Sequence, residues 1–284
     1  MSDTVVVILV AAVLVVAAGA LLYYRQRRGG ASQGEIMLNK PFQVRFANGQ
    51  RSRAVYVQAS IPPQMVQIEL KLPKAQSTIF AIGGAGGMAP EDIERTQKMV
   101  DVVSAFAQKH NVVVIDGGTE GGIMQMFGDS RLRGRYTFPL VGIAPLSQVR
   151  WPGHANPDAQ ADLEDSHSHF VLVEGKEWGA ESHLIQDLAK CVSGYGVAKA
   201  AGILINGGNV ALKEIGMAVE RGIPMFVVEG SGRAADTVAT ALRTGTAEQE
   251  VLQAILAGGD VQFIQTTETA ESITSKLNKQ FGVS

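Results

Sequence analysis

The sequence of 284 residues contains one cysteine, Cys191. A lone thiol closes no intramolecular disulfide and builds no cysteine-rich metal site, so a reducing compartment suits the chain. Aromatic residues are scarce, at 6%. Neither sign of charge is in excess: 25 Lys and Arg stand against 27 Asp and Glu, a formal net charge of −2. A chain so balanced has no broad basic face to displace counterions from a phosphate backbone, which excludes nucleic acid as a bulk electrostatic partner. One nucleotide-hydrolase signature is also missing: there is no G-x-x-x-x-G-K-[ST] run, which sets aside a P-loop NTPase.

Apolar residues and glycine are plentiful, at 46% of the chain and 32 residues respectively. The longest apolar stretch is VVVILVAAVLVVAAGALLYY, residues 5–24. As a helix it matches a hydrocarbon layer roughly 30 Å thick. Tyr23 and Tyr24 close it at the depth of an interfacial aromatic belt, and Arg25, Arg27 and Arg28 follow. Only Asp3 is charged ahead of it. The positive-inside rule then predicts a single-pass anchor, with the N-terminus outside and everything C-terminal to it cytoplasmic. A cleaved signal peptide fits less well, because no basic n-region precedes the run and the run is too long for an h-region.

The remainder divides by pattern. Residues 1–28 are the anchor and its basic stop, 29–35 a polar linker, 36–74 a small β-rich lead-in, and 75–284 the main domain. In the lead-in, Val44 and Phe46 alternate with Gln43 and Arg45, and Asn48-Gly49 is a two-residue hairpin signal. Val55 and Val57 continue the alternation, and Val66, Ile68 and Leu70 repeat it beyond Pro62-Pro63. The segment reads either as a module of its own or as an edge of the main sheet. From Ser77 onward, short continuous apolar runs at 78–82, 112–115, 140–143, 169–173, 202–205, 225–228 and 261–264 alternate with amphipathic segments. Runs of that kind are strands covered on both faces. The fold class is therefore α/β: a Rossmann-like, mostly parallel sheet with helices on both faces, preceded by one transmembrane helix and the small β-rich segment.

Glycine-rich turns close four of these strands: Gly83-Gly84-Ala85-Gly86-Gly87, Asp116-Gly117-Gly118-Thr119-Glu120-Gly121-Gly122, Asn206-Gly207-Gly208-Asn209 and Glu229-Gly230-Ser231-Gly232-Arg233. Glycine lets the backbone approach a ligand, and the helix that follows presents free N–H groups to phosphate. Arg233 is placed to clamp phosphate bidentately. Residues 84–89 also satisfy G-x-G-x-x-A, for which Asp116 is the acidic partner within reach. Glu214 follows the third turn, either as a base or ribose ligand or as an exposed helix carboxylate. His167 and His169 flank Ser168, spaced for one face of a strand. No third zinc ligand stands nearby, so the reading is a buried, hydrogen-bonded pair shaping the pocket, with no metal. Residues 145–166 form a long loop that reads as a lid or as disorder. Cys191 falls in mid-helix, where it packs.

The blocks IFAIGGAGGM (79–88), VVVIDGGTEGGIMQMFGD (112–129), DSHSHFVLVEGKEWGAES (165–182) and PMFVVEGSGRAADTVA (224–239) resemble the SLOG superfamily. Within it they resemble the LSDAT branch, known from the cytoplasmic N-terminal region of TRPM channels. The segment 206–214 is similar to the glycine motif of LOG-type phosphoribohydrolases, but Val210 and Ala211 replace its third glycine and its threonine. The resemblance implies a Rossmannoid domain that binds a nucleotide-derived ligand, ADP-ribose or a cyclic derivative, and needs no other cofactor. The implied contacts are Gly83, Gly84, Ala85, Gly86, Gly117, Gly118, Thr119, Gly207, Gly208, Glu214, Gly230, Ser231, Gly232 and Arg233. Expected partners are that ligand, the lipid bilayer, and a second copy of the chain or a membrane effector. Three functions remain open: a ligand sensor, an enzyme cleaving an N-glycosidic bond with Glu214 (or Glu120 or Asp116) as its carboxylate, and a membrane scaffold without catalysis.

Overall fold

The computed structural model describes residues 36–284. The apolar run 5–24 lies outside the described residues. Among those described, no helix is long and apolar enough to cross a membrane.

The strands are β1 (Pro41–Arg45), β2 (Arg51–Val57), β3 (Thr78–Gly84), β4 (Val113–Asp116), β5 (Leu140–Pro145), β6 (Val149–Arg150), β7 (Ala161–Asp162), β8 (His169–Val173), β9 (Ala200–Asn206), β10 (Met225–Glu229) and β11 (Val261–Gln265). Nine of them form one sheet in the order β1-β2-β8-β5-β4-β3-β9-β10-β11, while β6 and β7 pair separately. The β1–β2 hairpin is antiparallel, and every other pairing in the large sheet is parallel. The helices are α1 (Pro63–Leu70), α2 (Pro90–His110), α3 (Gly122–Arg133), α4 (Ser182–Val192), α5 (Asn209–Glu220), α6 (Arg233–Thr244), α7 (Glu250–Gly258) and α8 (Ala270–Phe281).

Strand alternation sends side chains to two cores. Phe80 and Ile82 of β3 join a cluster with residues of α1, α4, α5, α6 and α7. Ile79 and Ala81 join another with residues of α2, α3 and α8. Both faces of the sheet are thus covered, which is why its strands read as unbroken apolar runs. Helix ends follow local chemistry. Helix α2 has Pro90 in its first turn with Glu91 and Asp92, and Lys109 in its last, each charge matched to the helix dipole.

Two expectations are corrected. The alternation at Val66, Ile68 and Leu70 is not a strand. Pro63 opens helix α1, whose buried residues Val66, Gln67 and Leu70 follow helical spacing while Ile68 is exposed. Proline at N1 has the right φ and loses no hydrogen bond there, so the Pro62-Pro63 pair starts a helix. Nor is the segment 145–166 disordered. It holds a short 3-10 turn (Leu146–Gln148) and the β6–β7 pair. Its Trp151 is buried, stacked on Phe42 of β1 and on His154. Together with Leu163 and Val149 it forms a third core with Val44, Ala54 and Phe170. The lead-in is an edge of the main sheet, because β2 pairs in register with β8 from Arg53↔His169 to Val57↔Val173.

Candidate functional site

Strand order reverses between β3 and β9. From β3 the chain builds outward through β4, β5 and β8, and from β9 it builds the other way through β10 and β11. In open parallel sheets, ligands occupy the crevice at such a switch point, beyond the carboxyl ends of the strands. The first and third glycine turns stand side by side there, with Gly83 opposite Ile205 and Gly84 opposite Asn206.

The glycines of the first turn have different reasons. A Cβ on Gly83 would come 1.9 Å from the Ile205 carbonyl oxygen, so Gly83 serves the contact between strands. A Cβ on Gly84 would meet nothing within 4 Å. Gly86 is where three turns meet. Its carbonyl accepts Asn206 Nδ2–H at 3.1 Å and Arg233 Nη1–H at 3.3 Å. The Asn206 N–H donates to Ser231 Oγ at 2.8 Å, and Ser231 Oγ donates to the Val228 carbonyl at 2.6 Å. The Ala234 N–H reaches the Gly207 carbonyl at 3.3 Å. The Arg233 guanidinium rests over Gly208, where a Cβ would lie 2.8 Å from Nη2. The first, third and fourth turns therefore form one wall, with Arg233 spanning it. Asn206 was not among the expected contacts. It is buried, its φ is +50°, and its Oδ1 has no partner among the described residues.

The second turn is used differently. The Gly118 N–H donates to Asp116 Oδ1 at 2.8 Å, and a Cβ on Gly118 would stand 2.6 Å from the Gly142 Cα. The Glu120 N–H donates to the Asp162 carbonyl, and Thr119 bridges to Leu163. Thr119 is buried, whereas a Cβ on Gly117 would make only ordinary contact with Met124 of α3, at 3.7 Å, so packing accounts for Gly118 and Thr119. The part nearest the crevice is Gly121-Gly122, at the start of α3. A Cβ on Gly122 would lie 3.0 Å from the Ala85 N, and Gly121 faces open space. The signal for this was the second Gly-Gly pair of the DGGTEGG run.

Asp116 does not serve as a ribose carboxylate. It is fully buried, and its Oδ1 is engaged by Gly118 and by His167 Nε2 at 2.8 Å. The other His167 nitrogen, Nδ1, meets Glu164 Oε2 at 2.6 Å. Burial alone would lower the pKa of His167, but the two carboxylates outweigh it and hold the imidazolium up to about 9. His169 is held down to about 4 by burial and by the nearby charges of Arg131 and Arg53. No bond joins the two histidines among the described residues. His169 Nδ1 meets Ser168 Oγ instead, so they are not a pair. No His, Cys, Asp and Glu cluster suited to a metal occurs among the described residues.

Glu214 is buried on α5 and is not an exposed helix carboxylate. Ser182 Oγ donates to its Oε1 at 2.6 Å, and Gln186 Nε2–H donates to its backbone carbonyl. Burial pushes its carboxyl up to about 7; the Ser182 bond works the other way, and the charge of Glu181 adds to the rise. The hydrogen bonds of Glu214 run to α4, and none among the described residues reaches the glycine turns. Cys191 packs within α4, its Sγ donating to Gln67 Oε1 at 3.3 Å.

Several known proteins resemble part of this chain. Transient receptor potential cation channel subfamily M member 7 of Homo sapiens is 28% identical over 234 residues, covering 69% of this chain and 12% of the channel. Subfamily M member 1 of Mus musculus is 26% identical over 237 residues, covering 68% of this chain and 14% of the channel. Subfamily M member 2 of Mus musculus is 36% identical over 88 residues, or 27% of this chain and 6% of the channel. The X-ray structure of TM1055, a Northeast Structural Genomics Consortium target, has a TM-score of 0.46 at 16% identity, covering 72% of this chain and 99% of its own. A family profile described as SLOG in TRPM, prokaryote, matches residues 76–274, well over half of the sequence, and the chain belongs to that family.

Proposed function

We propose that the chain is a membrane-anchored sensor whose α/β domain binds a nucleotide-derived ligand of the ADP-ribose type in the switch-point crevice. One observation supports this above the others: the first, third and fourth glycine turns and the start of α3 meet at one crevice, with Arg233 across it. Phosphate oxygens find helix N-termini at Gly122 and Asn209 and a guanidinium at Arg233, with no lysine required. Gly84, Ala85, Gly86, Gly207, Gly208, Gly230, Ser231 and Gly232 line or brace that place. The anchor is the run 5–24, which puts the domain on the cytoplasmic side with a second copy or a membrane effector as the receiver of the signal.

The test is a thermal-shift titration of the full chain in mild detergent with ADP-ribose, cyclic ADP-ribose, NAD, AMP and cyclic dinucleotides. Mass spectrometry of the same samples follows. A ligand present at a hundred times its Kd stabilises by about 2.7 kcal/mol, enough to be read as a shift. The expected result is a shift with ADP-ribose or its cyclic form, recovered intact. No shift with any member of the panel overturns the reading.

A second reading is cleavage of a nucleotide's N-glycosidic bond, favoured by the Glu214 carboxyl near 7, where a buried acid exchanges protons at neutral pH. Free base released by the wild type and not by Glu214→Gln supports it. Equal release by both removes Glu214 from the mechanism.

A further inference from the structure

The buried triad Asp116–His167–Glu164 is not part of the crevice wall, yet it lies directly behind the second glycine turn. The segment leading to His167 runs back along that turn. The Glu120 N–H donates to the Asp162 carbonyl at 2.7 Å, and the Glu164 N–H donates to the Gly118 carbonyl at 2.9 Å. Asp116 Oδ1 accepts both the Gly118 N–H and His167 Nε2–H. Its Oδ2 is buried without a partner among the described residues, so the imidazolium is the one cation bonded to this carboxylate. Glu164 is seated against α3 itself: a Cβ on Gly128 would fall 2.2 Å from the Glu164 Cδ, so only glycine admits the carboxylate there.

We propose that His167 is a positioning residue for the crevice: clasped between Asp116 and Glu164, it locks the second glycine turn and α3 onto the segment 161–168 and so sets where Gly121-Gly122 stands against the first turn. The role rests on the ligand reading of the crevice, but the clasp itself does not. A neutral imidazole donates from one nitrogen only and bonds one carboxylate as donor. The imidazolium donates from both. The other charges around the triad are Arg131 and Asp129 of α3, both coupled to Glu164, and Arg53 of β2, which with Arg131 acts on His169. Because the pKa of His167 is raised from 6.5 to about 9, the native ring keeps both protons through neutral pH; the stability the clasp contributes is full below 6.5 and is lost as pH rises through about 9.

The experiment uses the full chain in detergent. Long-range proton–nitrogen NMR of the histidine rings is expected to show both His167 nitrogens protonated at pH 7.5. A neutral tautomer at that pH overturns the proposal. Amide hydrogen exchange at one fixed pH is then compared between the wild type and His167→Gln. The Gly118 and Glu120 amides are expected to exchange at least tenfold faster in the variant, with Ala234, in the fourth turn, unchanged. Uniform acceleration marks general destabilisation, and no change at Gly118 and Glu120 marks an idle triad; either overturns the proposal. If His167→Gln does not fold, Glu164→Gln serves: it removes one of the two anions, so the His167 titration and the exchange of Gly118 both move to lower pH. With ADP-ribose as probe, His167→Gln is expected to bind about tenfold more weakly and without the loss of affinity that the wild type shows towards pH 9. Wild-type chain that does not bind ADP-ribose, but shows the ring signature and local exchange, refutes the ligand reading and leaves the clasp standing.

Discussion

Glycine has two distinct jobs within one turn, and adjacent substitutions separate them. At Gly83, any Cβ meets the Ile205 backbone 1.9 Å away and φ is +131°, so Gly83→Ala is expected to cost on the order of 3 kcal/mol or more. At Gly84 a Cβ meets nothing, so Gly84→Ala is expected to leave stability within about 0.5 kcal/mol and to weaken ADP-ribose binding. Urea denaturation and ligand titration of the two variants check the contrast. Glu214 gives a signed pH effect. Its pKa is raised from 4.5 to about 7, so the native state holds its proton more tightly than the unfolded chain, and stability falls as pH rises from 4.5 to 7. Glu214→Gln removes that loss, on the order of 3 kcal/mol. Its melting temperature relative to wild type is expected to rise from pH 5 to pH 8. Glycine clusters and Arg233 were legible in the sequence because turns are local. The bond of His167 to Asp116, 51 residues away, was not.

At the scale of elements, the strands from β3 to β11 that build the large sheet were legible, since burial on both faces makes them continuous apolar runs, four of them closed by glycine-rich turns. The segment 63–70 was not. Val66, Ile68 and Leu70 fit period two as well as Val66, Gln67 and Leu70 fit a helix, and Pro63 at the helix start decides between them. Length and polarity of the segment 145–166 suggested mobility, but Trp151 packs it against β1 as a wall. Trp151→Ala is expected to cost about 3–5 kcal/mol in chemical denaturation while leaving the ADP-ribose-induced thermal shift of the folded fraction in place. Loss of binding without loss of stability is the outcome that makes the segment a lid.

For the whole molecule, the N-terminal composition carries one prediction, a membrane anchor. The apolar run 5–24 and Arg25, Arg27 and Arg28 predict that the full chain sediments with membranes and that deleting residues 1–28 releases it. Fractionation before and after an alkaline carbonate wash reads this, and a full chain extracted by the wash counts against an anchor. By itself the sequence determined the α/β class, the place of the parallel strands and the four glycine turns, because each is written in local periodicity and in residues with special backbone freedom. Only the tertiary structure decided which turns share a crevice, which glycines are spacers between strands, and that Asp116 belongs to a buried ion triad. Those outcomes depend on strand order. The reversal between β3 and β9 puts Gly84 beside Asn206, and no pattern of neighbouring residues encodes which distant strands will lie side by side.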